Sequence, residues 1–406
     1  MSAEALYRSM GLIGYEVEDT WEGKDGSLFV AVSVARESLC CRSCHCRRVH
    51  LDGSRDRFWK GAPVGLSSVI VTMKTPRVKC LSCGSKTWHQ PTFAEGQRQV
   101  TKAFEGYVES WLSRLTIQDA VATFGISWNT VCKIDIRRLK KLSQPGLSRL
   151  KRLAIDENYL GKLHKYITVV LDLDTRAIVS VTQGRGQAAL KGFFSRLEQA
   201  GAKIRAVATD MAGGYIAAVM KHLPKAKLVF DRFHVVKLMN EKLTILRRDL
   251  YRELKGDLNR DVLKGIRWLL LKDPENLTKN ENVDEKKQLD AALELNESLF
   301  KAYYLKEQLR QFWNQPSKSA AKSFLKGWCR RADSTGIRVL QTMSKTLLTH
   351  MTGMLNWYDE RISTGPLEGI NNKIGALQRR AYGYRNYEHL KLRLLTLHHT
   401  KFIIAG

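Results

Sequence analysis

The chain has 406 residues, with 67 Lys and Arg against 40 Asp and Glu, for a net charge of +27. An apolar fraction of 44% with 9% aromatics excludes a disordered chain, and only 8 prolines with 29 glycines exclude a collagenous or low-complexity one. A foldable chain this basic points to a polyanionic partner, nucleic acid first. No stretch approaches the ~18 uncharged apolar residues of a spanning helix. The start carries Glu4 and Arg8 and lacks a long apolar run, so a cytoplasmic protein with no membrane partner is expected. Cysteines there stay reduced, and clustered ones suggest metal.

In chain order, residues 1–35 read as an N-terminal segment and 36–95 as a zinc ribbon. Six of the eight cysteines lie between Cys40 and Cys83. Cys41-x2-Cys44 and Cys80-x2-Cys83 form two knuckles whose four thiolates suit a tetrahedral structural Zn²⁺. Cys40, His45, Cys46 and His50 lie near enough to the first knuckle to compete as ligands. Val69, Val71 and Met73 alternate with polar residues, so short strands are expected to join the knuckles.

Residues 98–145 read as a helix-turn-helix domain. Phe104, Val108, Trp111, Leu112 and Leu115 recur at helical spacing, and Gly125-Ile126-Ser127 breaks two further helices apart. Ser127 is a good N-cap. Ser127, Trp128, Asn129, Thr130 and Lys133 would face a major groove, with Arg137 and Arg138 extending a basic stripe.

After the linker-like SQPGLS, residues 150–236 alternate strands and helices. Strands are expected at Leu153 to Leu160, Tyr166 to Leu171, Ala177 to Thr182, Ile204 to Thr209 and Lys227 to Phe230, with a turn at Asp172 to Thr175. A three-strand meander followed by helix, strand, helix, strand is the order of a ribonuclease-H-like sheet, although strand–helix alternation alone fits other α/β folds. Residues 237–350 read as an all-α insertion, and 351–406 as the last, helical part of the core. Within the insertion, Arg267-Trp268 offers a platform for stacking a base, against the commoner reading of a core tryptophan.

Three acids stand out. Asp156 sits inside the apolar strand run Ala154-Ile155-Asp156-Glu157, where a charge is costly unless it is paired or binds a cation. Asp156 and Glu157 point to opposite faces of the sheet, so only one can join a site. Asp210 ends the fourth strand, next to the first in such a sheet. Glu368 falls in the first turn of a helix opened by Pro366, with Asn371 and Asn372 three and four residues on.

Together these pieces resemble the ISL3 family of insertion-sequence transposases, enzymes of the DDE type. The matching blocks are the cysteine knuckles, GISWNTV, Ile155-Asp156-Glu157, Thr209-Asp210-Met211, Asp231-Arg232-Phe233-His234, and LEGINNKI followed by RRAYGYRN. They span almost the whole chain in the family's order. The resemblance implies a multidomain α+β protein: zinc ribbon, helix-turn-helix, and a ribonuclease-H-like core interrupted by a helical insertion. It implies Asp156, Asp210 and Glu368 as a triad holding two Mg²⁺ or Mn²⁺ ions, with support from His234 and Asn372. Lys373, Arg379 and Arg380 would meet DNA. The chain departs from the family pattern at Thr364, where asparagine is usual, and at Gly375, where lysine is usual.

The function so implied is cleavage at the terminal inverted repeats of an element and joining of the 3′ ends to target double-stranded DNA, with a homodimer pairing two ends. Two rivals remain at this point: a transposase-derived DNA-binding regulator without catalysis, and a structure-specific nuclease on the same fold. The three acids argue against the first, and joined products would separate the second.

Overall fold

The computed structural model describes residues 3–143, 146–161, 165–253, 262–272 and 283–398. The chain forms two units, one reaching to Leu142 and the other from Ser143 to His399.

The first unit opens with helix α1 (Ala3–Ser9) and a five-stranded sheet of β1 (Tyr15–Glu22), β2 (Leu28–Val34), β3 (Val49–Val64), β4 (Ser67–Cys80) and β5 (Lys86–Trp88). The order is β1-β2-β4-β3, with β5 also on β4. Residues 1–35 thus supply two strands of this sheet, and β2 runs parallel to β4 with Val30 opposite Val71. The expected alternation in β4 holds: Val69, Val71 and Met73 are buried against Trp59, Val30 and Val32. The strands joining the knuckles are long, however: β3 spans 16 residues and β4 spans 14. Gly65, at φ 59, makes the turn between them. Gly61 lets the two strands close, because a Cβ there would stand 2.9 Å from Cγ1 of Val69.

Helices α2 (Lys102–Trp111), α3 (Ile117–Phe124) and α4 (Trp128–Leu142) follow. Thr101 caps α2, a Thr116–Asp119 capping box opens α3, and Gly125 in the left-handed region closes it. The Ser127 hydroxyl accepts from the Thr130 N–H at 3.2 Å at the start of α4. Phe104, Val108, Leu112, Phe124, Val131 and Ile134 form the core of the three helices.

The second unit holds a mixed sheet of β6 (Arg152–Gly161), β7 (Lys165–Asp172), β8 (Ile178–Gln183), β9 (Ala206–Thr209) and β10 (Lys227–Phe230), in the order β10-β9-β6-β7-β8. β6, β7 and β8 form an antiparallel meander, while β9 and β10 run parallel to β6. Buried Asp172 makes the meander's second turn, accepting from the N–H groups of Asp174 and Thr175, both at 3.2 Å. Asp174 pairs with Arg152, so both acids are structural.

Helices α5 (Gln187–Gln199) and α6 (Gly213–His222) cover one face of the sheet through Phe193, Leu197, Tyr215 and Val219. Then come α7 (Arg232–Glu253), α8 (Val283–Glu294), α9 (Glu297–Arg310), α10 (Lys318–Ser334), α11 (Arg338–Thr349), α12 (Met351–Leu355), α13 (Gly365–Arg380) and α14 (Tyr387–Leu395). Among the described residues no strand occurs after Phe230. Helix α7 runs through position 237 without a break. It packs through Val235, Met239 and Leu243 into a helical core with Leu305, Trp328 and Leu347. Helix α13 returns to the sheet, burying Leu367, Ile370 and Ile374 against Ala154, Val169 and Leu171. The expected helical stretch therefore lies in the chain between the sheet and the helix that covers its second face.

Candidate active site and cysteine centre

Parallel pairing of β6 with β9 sets Ala154 opposite Ala208. Two residues further along each strand stand Asp156 and Asp210, so the register carries the two carboxylates to the same end of the sheet. Asp156 is half-buried and accepts from the N–H of Glu157 at 2.8 Å and from Nδ2 of Asn371 at 3.0 Å. Burial, and then the charge of Asp210, push its carboxyl above the ordinary value. The Glu157 N–H, the nearby His234 and Asn371 pull the other way. Asp210 accepts from the N–H of Ala212 at 3.0 Å, turning the chain into α6. Glu157 points to the other face, where its charge bears on Tyr215.

Among the described residues neither Asp156 nor Asp210 makes an ion pair with a lysine or arginine. Oδ1 of Asn371 is buried with no hydrogen-bond partner among them. Two carboxylates without a lysine or arginine partner among the described residues, beside an orphaned carbonyl oxygen, make a hard oxygen set, which fits a divalent cation.

Glu368 lies exposed in the first turn of α13, one turn before Asn371. The three acids do not converge into a ready cluster; among the described residues the cysteine quartet alone does so. Asn372, expected as a supporting residue, is exposed. Its neighbour Asn371 reaches Asp156, because it follows buried Leu367 by four positions and precedes buried Ile374 by three. His234 stands in the first turn of α7, with its charge felt at Asp156.

Sequence reasoning missed the part played by Asp231. Its buried carboxylate accepts from the N–H of Phe233 at 3.0 Å, capping α7, and from the N–H of Thr364 at 2.6 Å and the Thr364 hydroxyl. One side chain thus ties the start of the His234 helix to the start of the Glu368 helix. Thr364 donates twice to this link. At Gly375 an added Cβ would come within 3.3 Å of the Arg379 guanidinium.

Cys41, Cys44, Cys80 and Cys83 offer sulfurs that all lie within 4.8 Å of one another. Cys41 and Cys83 stand 3.6 Å apart, and Cys44 and Cys80 stand 3.5 Å apart. A tetrahedral site with bonds of ~2.3 Å needs sulfurs roughly 3.8 Å apart. The hairpin explains the long spacing in sequence, since Val49 pairs with Cys80 and the chain travels out along β3 and back along β4. The knuckles repeat one geometry: His45 at φ 57 and Gly84 at φ 70 follow the second cysteine of each. The N–H groups of Ser43 and Ser82 donate to Cys41 and Cys80 at 3.4 and 3.3 Å. The Ser85 hydroxyl leads in pulling the Cys41 thiol down to about 5. Of the competitors, Cys46 turns to the Ser82 hydroxyl at 3.0 Å, while Cys40, His45 and His50 are exposed outside the quartet.

The expected DNA-facing residues divide. Ser127, Trp128, Asn129 and Lys133 are exposed along the start of α4, and Thr130 is half-buried beside the Ser127 hydroxyl at 2.8 Å. Arg137 and Arg138 both make ion pairs within the first unit. Arg137 binds Glu95, Glu105 and Glu109 at 2.9, 2.5 and 3.2 Å, and Arg138 binds buried Asp135 at 2.9 Å. Both guanidiniums serve the packing of the helices, because Ile134 on the same turn points into the core. Lys373, Arg379 and Arg380 are exposed on α13. Trp268 is 65% exposed, with the Arg267 guanidinium 4.6 Å from its ring centre, so it is no core residue.

Residues 153–394 match the family DDE_Tnp_ISL3, described as a transposase. The transposase for insertion sequence element IS1001 of Bordetella parapertussis is 31% identical over 392 residues, covering 95% of each chain. That for IS1557 of Mycobacterium tuberculosis is 28% identical, covering 92% of this chain and 89% of its own. The Drosophila P element transposase strand transfer complex gives a TM-score of 0.38 at 11% identity, covering 78% of this chain and 94% of that one, too loose a likeness to define a shared fold. The chain belongs to the ISL3 family of transposases.

Proposed function

We propose that this transposase cleaves DNA at the terminal inverted repeats of its element and joins the freed 3′ ends to target DNA by two-metal phosphoryl transfer. One observation carries the reading. Asp156 on β6 and Asp210 just past the end of the neighbouring parallel β9 have no lysine or arginine partner among the described residues, and Asn371 of the Glu368 helix is bonded to the first. The strand order β10-β9-β6-β7-β8, with its antiparallel meander, supports a ribonuclease-H-like core. Glu368 joins the two aspartates as third carboxylate in this reading.

Each side chain then has a task. Asp156, Asp210 and Glu368 would hold two Mg²⁺ or Mn²⁺ ions, which when bound activate the attacking hydroxyl and stabilise the leaving oxygen. Asn371 fixes the rotamer of Asp156 by donating to Oδ2. His234, in the first turn of α7 near Asp156, would meet the scissile phosphate. Asp231 positions both helices that bring these groups in. No covalent intermediate with the protein is needed, so no serine or tyrosine nucleophile is assigned.

The cysteine quartet is a structural Zn²⁺ site in this reading, clamping the open end of the β3–β4 hairpin. Helices α3 and α4 form the helix-turn-helix, supported by the tight Gly125 turn and the exposed run Ser127, Trp128, Asn129. Pairing of two element ends calls for a dimer on DNA.

The test uses a labelled duplex carrying the element's own end, with Mg²⁺, and compares the wild type with Asp210→Asn and Glu368→Gln. Cleavage and joining by the wild type alone support the proposal. Cleavage surviving both substitutions refutes the assignment of the site. Tight binding without cleavage by any version favours the non-catalytic regulator.

A further inference from the structure

Beside the site, and distinct from Trp268, the second unit contains a cavity of about 590 Å³. Three arginines line it: Arg232, Arg310 and Arg361. So do three aromatic rings: Phe233, Trp313 and Trp357. The volume falls in the ~300–1,000 Å³ range of small-molecule pockets.

The guanidiniums of Arg232 and Arg361 lie 5.7 and 5.0 Å from the ring centres of Trp313 and Trp357. The one acid in the lining, Asp231, already accepts from Phe233 and Thr364, so the excess charge is positive. Trp313 is 5% exposed, and its indole N–H is buried with no hydrogen-bond partner among the described residues. An aromatic, cationic cavity suits a flat ring that carries a phosphate.

Its position narrows the ligand. Phe233 is 49% exposed and adjoins His234, the two rings having centres 5.4 Å apart. His234 bears on Asp156. One turn of α7 therefore presents one ring to the catalytic carboxylates and the next to this cavity.

We propose that the cavity holds one unpaired nucleotide, its base against Phe233 and the indoles and its phosphate on Arg232 and Arg361. Carried on DNA, that nucleotide would come from the strand beside the scissile phosphate, an identification that rests on the proposed cleavage reaction. Stacking of a base on aromatic side chains and guanidinium binding of phosphate both tolerate any sequence.

Two measurements test it, on the full chain and on a Phe233→Ala, Arg361→Ala double variant. The first compares affinity for the element's end as a fully paired duplex with affinity for the same end carrying two mispaired nucleotides at the cleavage junction. The wild type should prefer the mispaired end by about tenfold. The double variant should lose the preference while keeping its affinity for the paired duplex and its melting temperature. The second is equilibrium dialysis of labelled deoxyadenosine monophosphate without DNA, which reads the cavity even if end cleavage fails. Binding lost in the double variant, with no preference for mispaired DNA, assigns the cavity to a free nucleotide and overturns its place on the strand. Equal affinities for the two duplexes with no mononucleotide binding overturn the proposal entirely, as does a preference that survives in the variant.

Discussion

Arg137 gives the sharpest test, because two readings of it predict opposite phenotypes. As a DNA contact it would be a charge on the surface of α4. In the structure it is a hub: its side chain is 33% exposed, while Glu105, its partner at 2.5 Å, is 2% exposed. Replacing it by alanine leaves Glu105 and Glu95 to share Arg98, at 2.5 and 2.9 Å, and removes the Glu109 contact. Breaking a buried ion pair from one side costs ~3–5 kcal/mol. The surviving Arg98 and the partial exposure of Arg137 reduce this to about 2 kcal/mol. For a unit of this size that corresponds to a melting temperature lower by roughly 4–8 °C. Differential scanning calorimetry would read it, with DNA affinity measured in parallel against salt. The expected result is lost stability with the salt slope unchanged well below the transition. Unchanged melting, with the slope reduced by about 1, would refute the hub and restore Arg137 as a phosphate contact. Lys133→Ala should do the reverse, weakening DNA binding with little effect on melting.

The other predictions follow from the two proposed metal centres and the link between helices. Chelation, or Cys83→Ser, should lower the melting of the first unit; a site filled at ~1,000 times its dissociation constant contributes about 4 kcal/mol, or roughly 8–16 °C, and metal analysis should find the ion gone. Asn371→Ala should cost ~10–100-fold in cation affinity or cleavage, as loss of an outer-shell partner does, while Asn372→Ala should leave both near wild type. Asp156→Asn should abolish cleavage yet raise the melting temperature of the metal-free protein at pH 7.5. Burial holds the folded carboxyl above its unfolded value of ~3.9, so ionisation costs stability as pH rises through that interval, and the cost is complete above the folded value. The gain should shrink as pH falls, and equal melting of the two proteins at pH 7.5 would refute it. Asp231→Ala should destabilise the second unit by about 2–4 kcal/mol, since it strands the buried N–H of Thr364 and the cap of α7; urea unfolding measures this, and Asp231→Asn should restore part of it.

Local periodicity carried most of the second unit. Runs such as Ala206 to Thr209 are buried throughout because both faces of the sheet are covered, and they stop before Asp210 where the strand ends. In the first unit the period-two signal of Val69, Val71 and Met73 located β4 but not its length. Nor did it show that β2 lies along it, since parallel pairing of Val30 with Val71 leaves no mark on local sequence. Strand pairing is set by burial between residues 41 positions apart, which a window along the chain does not sample.

The site shows the same division more sharply. Asp156 was legible because a charge inside an apolar strand is costly wherever the strand goes. Choosing between Asn371 and Asn372 needed the rotation of α13 about its axis, and the signal was present: Leu367, Ile370 and Ile374 mark the buried stripe, which Asn371 borders and Asn372 does not. Asp231 left no such mark. A carboxylate before a helix is read as a cap, which it is for α7, but its bonds to Thr364 span 133 positions. That longer reach makes a capping residue part of the site. The helix carrying His234 and the helix carrying Glu368 begin at the same carboxylate, so a shift of either start would move groups on both sides of the aspartate pair. Asp231→Asn is therefore the informative substitution for cleavage as well as stability. It retains the size and one acceptor of the side chain but loses the charge that two Thr364 donors and the N-terminus of α7 share. If the link positions the site, turnover should fall by more than unfolding accounts for at temperatures where the variant is fully folded.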